Sequence, residues 1–212
     1  MGKAAEILAV FTKQVAASGY DGANFGDIAE RLGISKGTIV HHYGTKDRLL
    51  AALHESYLRR RLREAELIMA RLHTPAQRLA GLLFACILYQ EHDRDATVAF
   101  QREVIRLARE ESGVKLRAQY VDLVRGVISD GVASGQFRPV DVPVQSLLIF
   151  GAAQWAYTWY DPAGRRNVAE VGAALVDLVL GSLLTRRSAV ARLADPGGLV
   201  LRTVRRCLAE AA

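Results

Sequence analysis

The chain has 212 residues, half of them hydrophobic, enough to bury a substantial core. Its net charge of +6 says little about partners: residues 1–50 hold six Lys/Arg against five Asp/Glu, residues 51–185 sixteen against fifteen, and residues 186–212 six against two. No apolar run reaches membrane-spanning length and no signal-peptide pattern opens the chain, so the sequence reads as a cytoplasmic protein without a membrane partner.

The periodicity is helical throughout, which predicts an all-α fold. A first helix is expected over about Ala4 to Ser18, burying Ile7, Leu8, Phe11 and Val15 and ending at Gly19. Asn24 caps a second, short helix with Ile28, Ala29 and Leu32 on one face, and Gly33 makes a tight turn. Ser35 caps a third helix, which buries Ile39 and Tyr43 and leaves Lys36, Thr38, His41 and His42 pointing outward. Two short helices joined by a tight turn read as a helix-turn-helix. An exposed second helix with no acidic residue before Asp47 suits the negatively charged major groove.

A fourth helix should start after Thr45 and run through Leu49, Leu50, Leu53, Tyr57 and Leu62 towards Leu72. Its run Arg59-Arg60-Arg61-Leu62-Arg63 reads as a solvated face rather than a nucleic-acid patch. Thr74-Pro75-Ala76-Gln77 opens the next helix as a capping box, with Leu79, Leu82, Leu83, Cys86 and Ile87 inside. Further helices are expected from about Arg94 to Glu111 and from about Gly113 to Ser134, followed by the loop Gly135-Gln136-Phe137-Arg138-Pro139. On the first of these, Val98, Gln101, Val104, Ile105 and Ala108 share a face beside Phe100, and Arg102, Arg106 and Arg109 form another stripe. Gln101 is then a polar group on an apolar face, to be met either by a ligand or by a neighbouring helix.

The helices from about Pro143 to Tyr160 and from Asn167 to Thr185 are apolar nearly all round. A helix hydrophobic on every side must be covered on every side, and the simplest cover is the same pair from a second subunit, giving a homodimeric four-helix interface. Trp155, Tyr157, Trp159 and Tyr160 crowd the end of the first, before Arg165 and Arg166; they line a pocket for an extended apolar ligand or pack an interface. Beyond Arg186, Asp195-Pro196-Gly197-Gly198 breaks the chain before a last helix carrying Arg202, Arg205 and Arg206, which reads as a solvated basic tail. The domains follow as 1–46, 47–185 and a basic extension, 186–212.

Cys86 and Cys207 have no metal or redox spacing. The five histidines show no pair at metal-ligand spacing with a carboxylate companion, and there is neither a glycine-rich phosphate loop nor a serine elbow. The sequence therefore calls for no metal, cofactor or enzymatic activity.

Gly19-Tyr20, Asn24-Phe25, Asp27-Ile28-Ala29, Gly33-Ile34-Ser35-Lys36-Gly37-Thr38 and His41-His42-Tyr43 followed by Lys46 resemble the N-terminal DNA-binding domain of TetR-type transcriptional regulators. The resemblance implies a homodimer that binds a palindromic double-stranded DNA operator and releases it when a small ligand binds the C-terminal domain. It implies Lys36, Gly37, Thr38 and His41 as groove-facing positions and His42 close to base or phosphate. Asn24 and Lys46 fall where the family grips phosphates, at helix N-termini that already favour an anion. Ser35 and Tyr43 complete the expected DNA-binding set. Val40 stands where the family usually has a phosphate-binding tyrosine.

Phe100-Gln101-Arg102-Glu103, Gly135-Gln136-Phe137-Arg138-Pro139 and Trp159-Tyr160-Asp161-Pro162-Ala163-Gly164 resemble the acyl-CoA-responsive branch of the same family. That second resemblance implies Phe100, Gln101, Val104, Trp155, Trp159 and Tyr160 as effector contacts and a CoA thioester or another long apolar molecule as effector. The function expected is a ligand-responsive repressor; an activator, or a DNA binder without a ligand, is the alternative.

Overall fold

The structure, a computed structural model, describes residues 2–106 and 111–211. Local sequence sets its N-terminal helices. Helix α1 (Lys3–Gly22) buries Ile7, Phe11 and Val15 at a spacing of four, and is kinked at Gly19, whose φ of 76° and ψ of 174° lie outside helical space. Helix α2 (Phe25–Leu32) starts at Asn24, whose side chain accepts the Asp27 N–H at 2.9 Å, and stops at Gly33 in the left-handed region, φ 61°. Helix α3 (Lys36–Tyr43) starts at Ser35, whose hydroxyl accepts the Thr38 N–H at 3.1 Å. Each cap satisfies an amide that the helix leaves unpaired, a contribution of about 1 kcal/mol.

The remaining elements are α4 (Lys46–Arg71), α5 (Pro75–His92), α6 (Arg94–Glu103), α7 (Glu111–Ala133), α8 (Val142–Gln154), α9 (Ala156–Trp159), α10 (Val168–Leu183), a single 3₁₀ turn (Arg187–Ala189), α11 (Val190–Leu193) and α12 (Leu199–Ala211). The fold is all-α, as expected; the described residues hold no strand, only an isolated bridge between Phe137 and Leu184.

Two compact units divide the chain. The first comprises Met1–Arg59 and Asp93–Arg117, the second Arg60–His92 and Ala118–Ala212. In the first unit Ile7, Phe11, Val15, Ile28, Ile39, Leu49, Leu50 and Leu53 make one core. Helix α6 packs along α1 in this unit. It is shorter than expected, ending at Glu103 and followed by a turn over 104–106, and Ile105 is 87% exposed. Its buried polar groups are Thr97 and Glu103, while Gln101 is half-buried. Ala108 and Arg109 lie outside the described residues.

A second, small cluster in this unit surrounds Phe100, whose ring stacks on Tyr57 at 4.3 Å and on His54 at 4.5 Å. His54 is 1% exposed. Its Nε2 stands 3.2 Å from Nη1 of Arg117, and because a guanidinium only donates, the imidazole must accept. Burial, and then the Arg117 charge, push the His54 pKa down to about 4. Gly113 allows the fit, since a Cβ there would stand 2.7 Å from the imidazole Nδ1.

The second unit is built around α5, buried from Ala76 to Gln90 along most of its length. Helix α5 opens with the expected capping box, Thr74 and Gln77 each accepting the other's backbone N–H at 3.2 Å. Small residues let its neighbours close in. A Cβ on Gly81 would stand 2.7 Å from Leu72 and 2.8 Å from Ile68 of α4, and one on Gly172 of α10 would stand 2.7 Å from Phe84.

Two expectations are corrected in this unit. The arginine run is not wholly solvated: Arg61 is 3% exposed, lies 3.6 Å over the Tyr89 ring and pairs with buried Glu64 at 3.3 Å. At that position on α4 a side chain faces α5, and only a charge with a counter-charge at i+3 survives there. Nor is the C-terminal segment a solvated tail. Helix α12 is strongly amphipathic, with Val200, Leu201, Val204, Cys207 and Leu208 in the same core as α5 and its arginines outside. Arg202, Arg205 and Arg206 dominate the segment as a sequence, but the apolar face at i, i+4 and i+7 decides the packing.

Two measurements follow. Leu201→Ala removes a residue 1% exposed and is expected to destabilise the protein by about 2–5 kcal/mol in urea unfolding, where a detached tail would show no change. For His54, the unfolded chain takes up its proton near pH 6.5 and the folded one only near 4, so its contribution is complete above about 6.5 and is lost as pH falls through that window. At pH 5 the loss is about 2 kcal/mol, and a His54→Gln variant should show a correspondingly flatter stability profile between pH 7 and 5.

Candidate nucleic-acid interface

Helix α3 presents the groove-facing candidates together. Ile39 is fully buried and anchors the helix in the core, while Lys36, Gly37, Val40, His41 and His42 are exposed. The His41 and His42 rings meet edge to face at 5.5 Å. Thr38 is half-buried, its hydroxyl 3.1 Å from that of Ser35, which caps the helix. Gly37 has no side chain, and the backbone there is open to close approach by a base edge.

Tyr43 stands apart from this set. Its hydroxyl donates to the Ala4 carbonyl at 2.8 Å, which ties the end of α3 to the start of α1, and burial raises its pKa. Asn24 also uses its side chain internally: besides the cap, its Nδ2 donates to Asp27 at 2.8 Å. What it leaves for an anion is the backbone at the start of α2.

Lys46 opens α4, and its Nζ lies 4.3 Å from the Tyr20 ring centroid. The Tyr20 hydroxyl donates to Asp47, and burial first, then this bond, push its pKa up to about 12. In the sequence Tyr20 belongs to a motif but carries no assigned role. Its partners come from α4 and α6, and nothing periodic in the sequence connects them.

The effector candidates are divided between the units. Phe100, Gln101 and Val104 belong to the first, where Phe100 and Val104 pack in the Tyr57 cluster. Trp155, Trp159 and Tyr160 belong to the second. Tyr160 is buried there and donates its hydroxyl to Glu91 at 2.6 Å, while Trp155 and Trp159 are 64% and 55% exposed. Trp159 and Arg166 line a groove of about 460 Å³ together with Ile87, Ala152, Glu170 and Leu178. Among the described residues no group of His, Cys, Asp and Glu could hold a metal ion, and no helix is long and apolar enough to cross a membrane.

Comparison with known proteins matches two family models to the chain. Residues 7–53 match the family model for bacterial regulatory proteins of the tetR family, and residues 72–183 match that for the tetracyclin repressor-like C-terminal domain. The HTH-type transcriptional repressor KstR2 of Mycolicibacterium smegmatis is 27% identical over 186 residues, covering 84% of this chain and 89% of that protein. Its counterpart from Mycobacterium tuberculosis is 28% identical over 186 residues, covering 84% and 91%. Among solved structures, the ketosteroid transcriptional regulator KstR2 of Mycobacterium tuberculosis superposes with a TM-score of 0.78 at 26% identity, covering 87% of this chain and 96% of that one. AibR in complex with isovaleryl coenzyme A and operator DNA has the same fold, TM-score 0.73 at 24% identity, covering 84% and 97%. With both halves matched and the exposed α3 in place, the chain belongs to the TetR family of DNA-binding transcriptional regulators and is not an enzyme.

Proposed function

We propose that this protein is a homodimeric repressor that leaves a palindromic operator when a small, largely apolar effector binds its C-terminal domain. The observation that carries the reading is α3: a capped helix anchored by Ile39 whose exposed residues are Lys36, Gly37, Val40, His41 and His42, none of them acidic. Lys36, Gly37, Thr38, His41 and His42 read the groove, and Lys46 with the amides after Asn24 and Ser35 meets phosphates.

The dimer is supported by an apolar surface that one chain leaves open. On α8, Val144, Leu147 and Leu148 are 52%, 62% and 65% exposed, and on α10 Leu178 is 65% exposed. Contiguous apolar surface of this kind marks an interface. A second copy presenting the same two helices covers it about a two-fold axis, which is the symmetry a palindrome requires.

For the effector, support comes from the groove at Trp159 and Arg166, which pairs an aromatic wall with a cation suited to phosphate. It also comes from the relatives, KstR2 being a ketosteroid transcriptional regulator and AibR having been solved in complex with isovaleryl coenzyme A. A CoA thioester or another long apolar molecule is in keeping with both. Effector binding shifts α4 and with it the separation of the recognition helices; a differential affinity of a few kcal/mol is enough to switch occupancy.

Fluorescence anisotropy on the DNA upstream of the protein's own gene should show at least a roughly thousandfold preference over a scrambled duplex, and acyl-CoA esters should reverse it. Equal, weak binding to the two duplexes counts against an operator there. Leu148→Glu places a charge on the open apolar face, and sedimentation should show a shift from dimer to monomer with operator affinity lost alongside. A monomeric parent protein would sink the dimer.

A further inference from the structure

The kink in α1 has a use. With Gly19 at φ 76° the amide of Tyr20 turns out of the helix, and it donates to Oε1 of Glu103 on α6 at 2.9 Å. The other oxygen of Glu103 accepts from Nε of Arg106 at 3.1 Å, and the Arg106 guanidinium lies 4.5 Å from the Tyr20 ring centroid. Arg102 adds two bonds to the end of the same helix, to the carbonyls of Ala16 and Ala17 at 2.7 and 3.2 Å. Tyr20 is thus held by its backbone from α6, by its hydroxyl from Asp47, and by its ring between the charges of Arg106 and Lys46.

Lys46 is the group this arrangement serves. A lysine is a compact charge on a flexible stem, and its ammonium has three donors. Resting over an aromatic ring limits where the ammonium stands and uses none of those donors, whereas a salt bridge would occupy them. Lys46 has no ion pair among the described residues. The charge at the start of α4 is therefore both located and available.

We propose that Tyr20 is a positioning residue for DNA binding: it places the Lys46 ammonium for a backbone phosphate, and Glu103 of α6 fixes where Tyr20 stands. This rests on the reading above that Lys46 meets a phosphate. It makes α6 a determinant of operator grip through one side chain, in addition to any change in the spacing of recognition helices. A displacement of α6 that takes Glu103 from the Tyr20 amide frees the ring and releases Lys46 from its place.

The test is the salt dependence of binding to a random-sequence duplex, which reports how many phosphates the protein neutralises and needs no known operator. Each phosphate that is no longer neutralised lowers the slope of log K against log salt by about 0.9. Lys46→Ala should lower the slope by that amount in each subunit. Tyr20→Leu should lower it equally although it removes no charge, and Tyr20→Phe, which keeps the ring, should retain the slope. Glu103→Leu makes the protein more positive, so a simple field effect strengthens binding, but the positioning role predicts the same loss of slope.

In a Lys46→Ala background neither Tyr20→Leu nor Glu103→Leu should lower the slope further. Thermal unfolding and circular dichroism identify any variant that misfolds; if Tyr20→Leu does, Glu103→Leu and Tyr20→Phe decide the matter. A normal slope for a folded Tyr20→Leu or Glu103→Leu overturns the proposal while leaving the phosphate contact intact. A normal slope for Lys46→Ala overturns the phosphate contact itself, and the proposal with it.

Discussion

A helix that is apolar on all sides has no stable position on a surface, and α5 is such a helix. From Ala76 to Gln90 it offers almost nothing to water, so the second unit is organised by the need to cover it. Helices α4, α10 and α12 do so at short range, and Gly81 and Gly172 stand where a side chain would hold the neighbours off. The interior also accepts a charged pair, Arg61 with Glu64, with the guanidinium 3.6 Å over the Tyr89 ring and the carboxylate one turn away. What α5 does not require is full cover for α8 and α10. Their outer residues, Leu147, Leu148 and Leu178, stay exposed in a single chain.

The first unit works on a smaller scale and with more polar restraint. Its helices are short, and their ends are fixed by caps at Asn24 and Ser35, by the Tyr43 hydroxyl on Ala4, and by the Glu103 bond to the amide after Gly19. Such bonds do little for net stability individually but define direction. That suits an element whose task is to present a few side chains at a fixed angle. Charge is not the organising feature here, since the first fifty residues are almost neutral. Placement of individual cations has to supply what the overall field does not.

What is legible in the sequence is what is decided within one or two turns. The caps at Asn24, Ser35 and Thr74 each act over three residues, and the glycine stops at Gly33 and Gly135 act over one. Periodicity also locates the apolar faces of α1, α4 and α5. The misreadings concern longer reach. Glu103 and the Tyr20 amide are joined across 83 residues of chain, and without that bond in view α6 looks like a longer helix. Arg61 sits inside a run of arginines and has no local mark of burial. The arginines of α12 draw attention from the apolar face that docks it.

The docking of α12 has a kinetic side. The family model ends at residue 183, and α12 follows it, yet Val204 closes against Gly81 on the central helix. Contacts so far apart in sequence form late, because a long loop must close before they give anything back. A chain with α12 undocked would present a strip of α5 to water. The step that seals this strip is the return of a distant segment. In a chain so opened, that return would compete with association of the open strips of two chains.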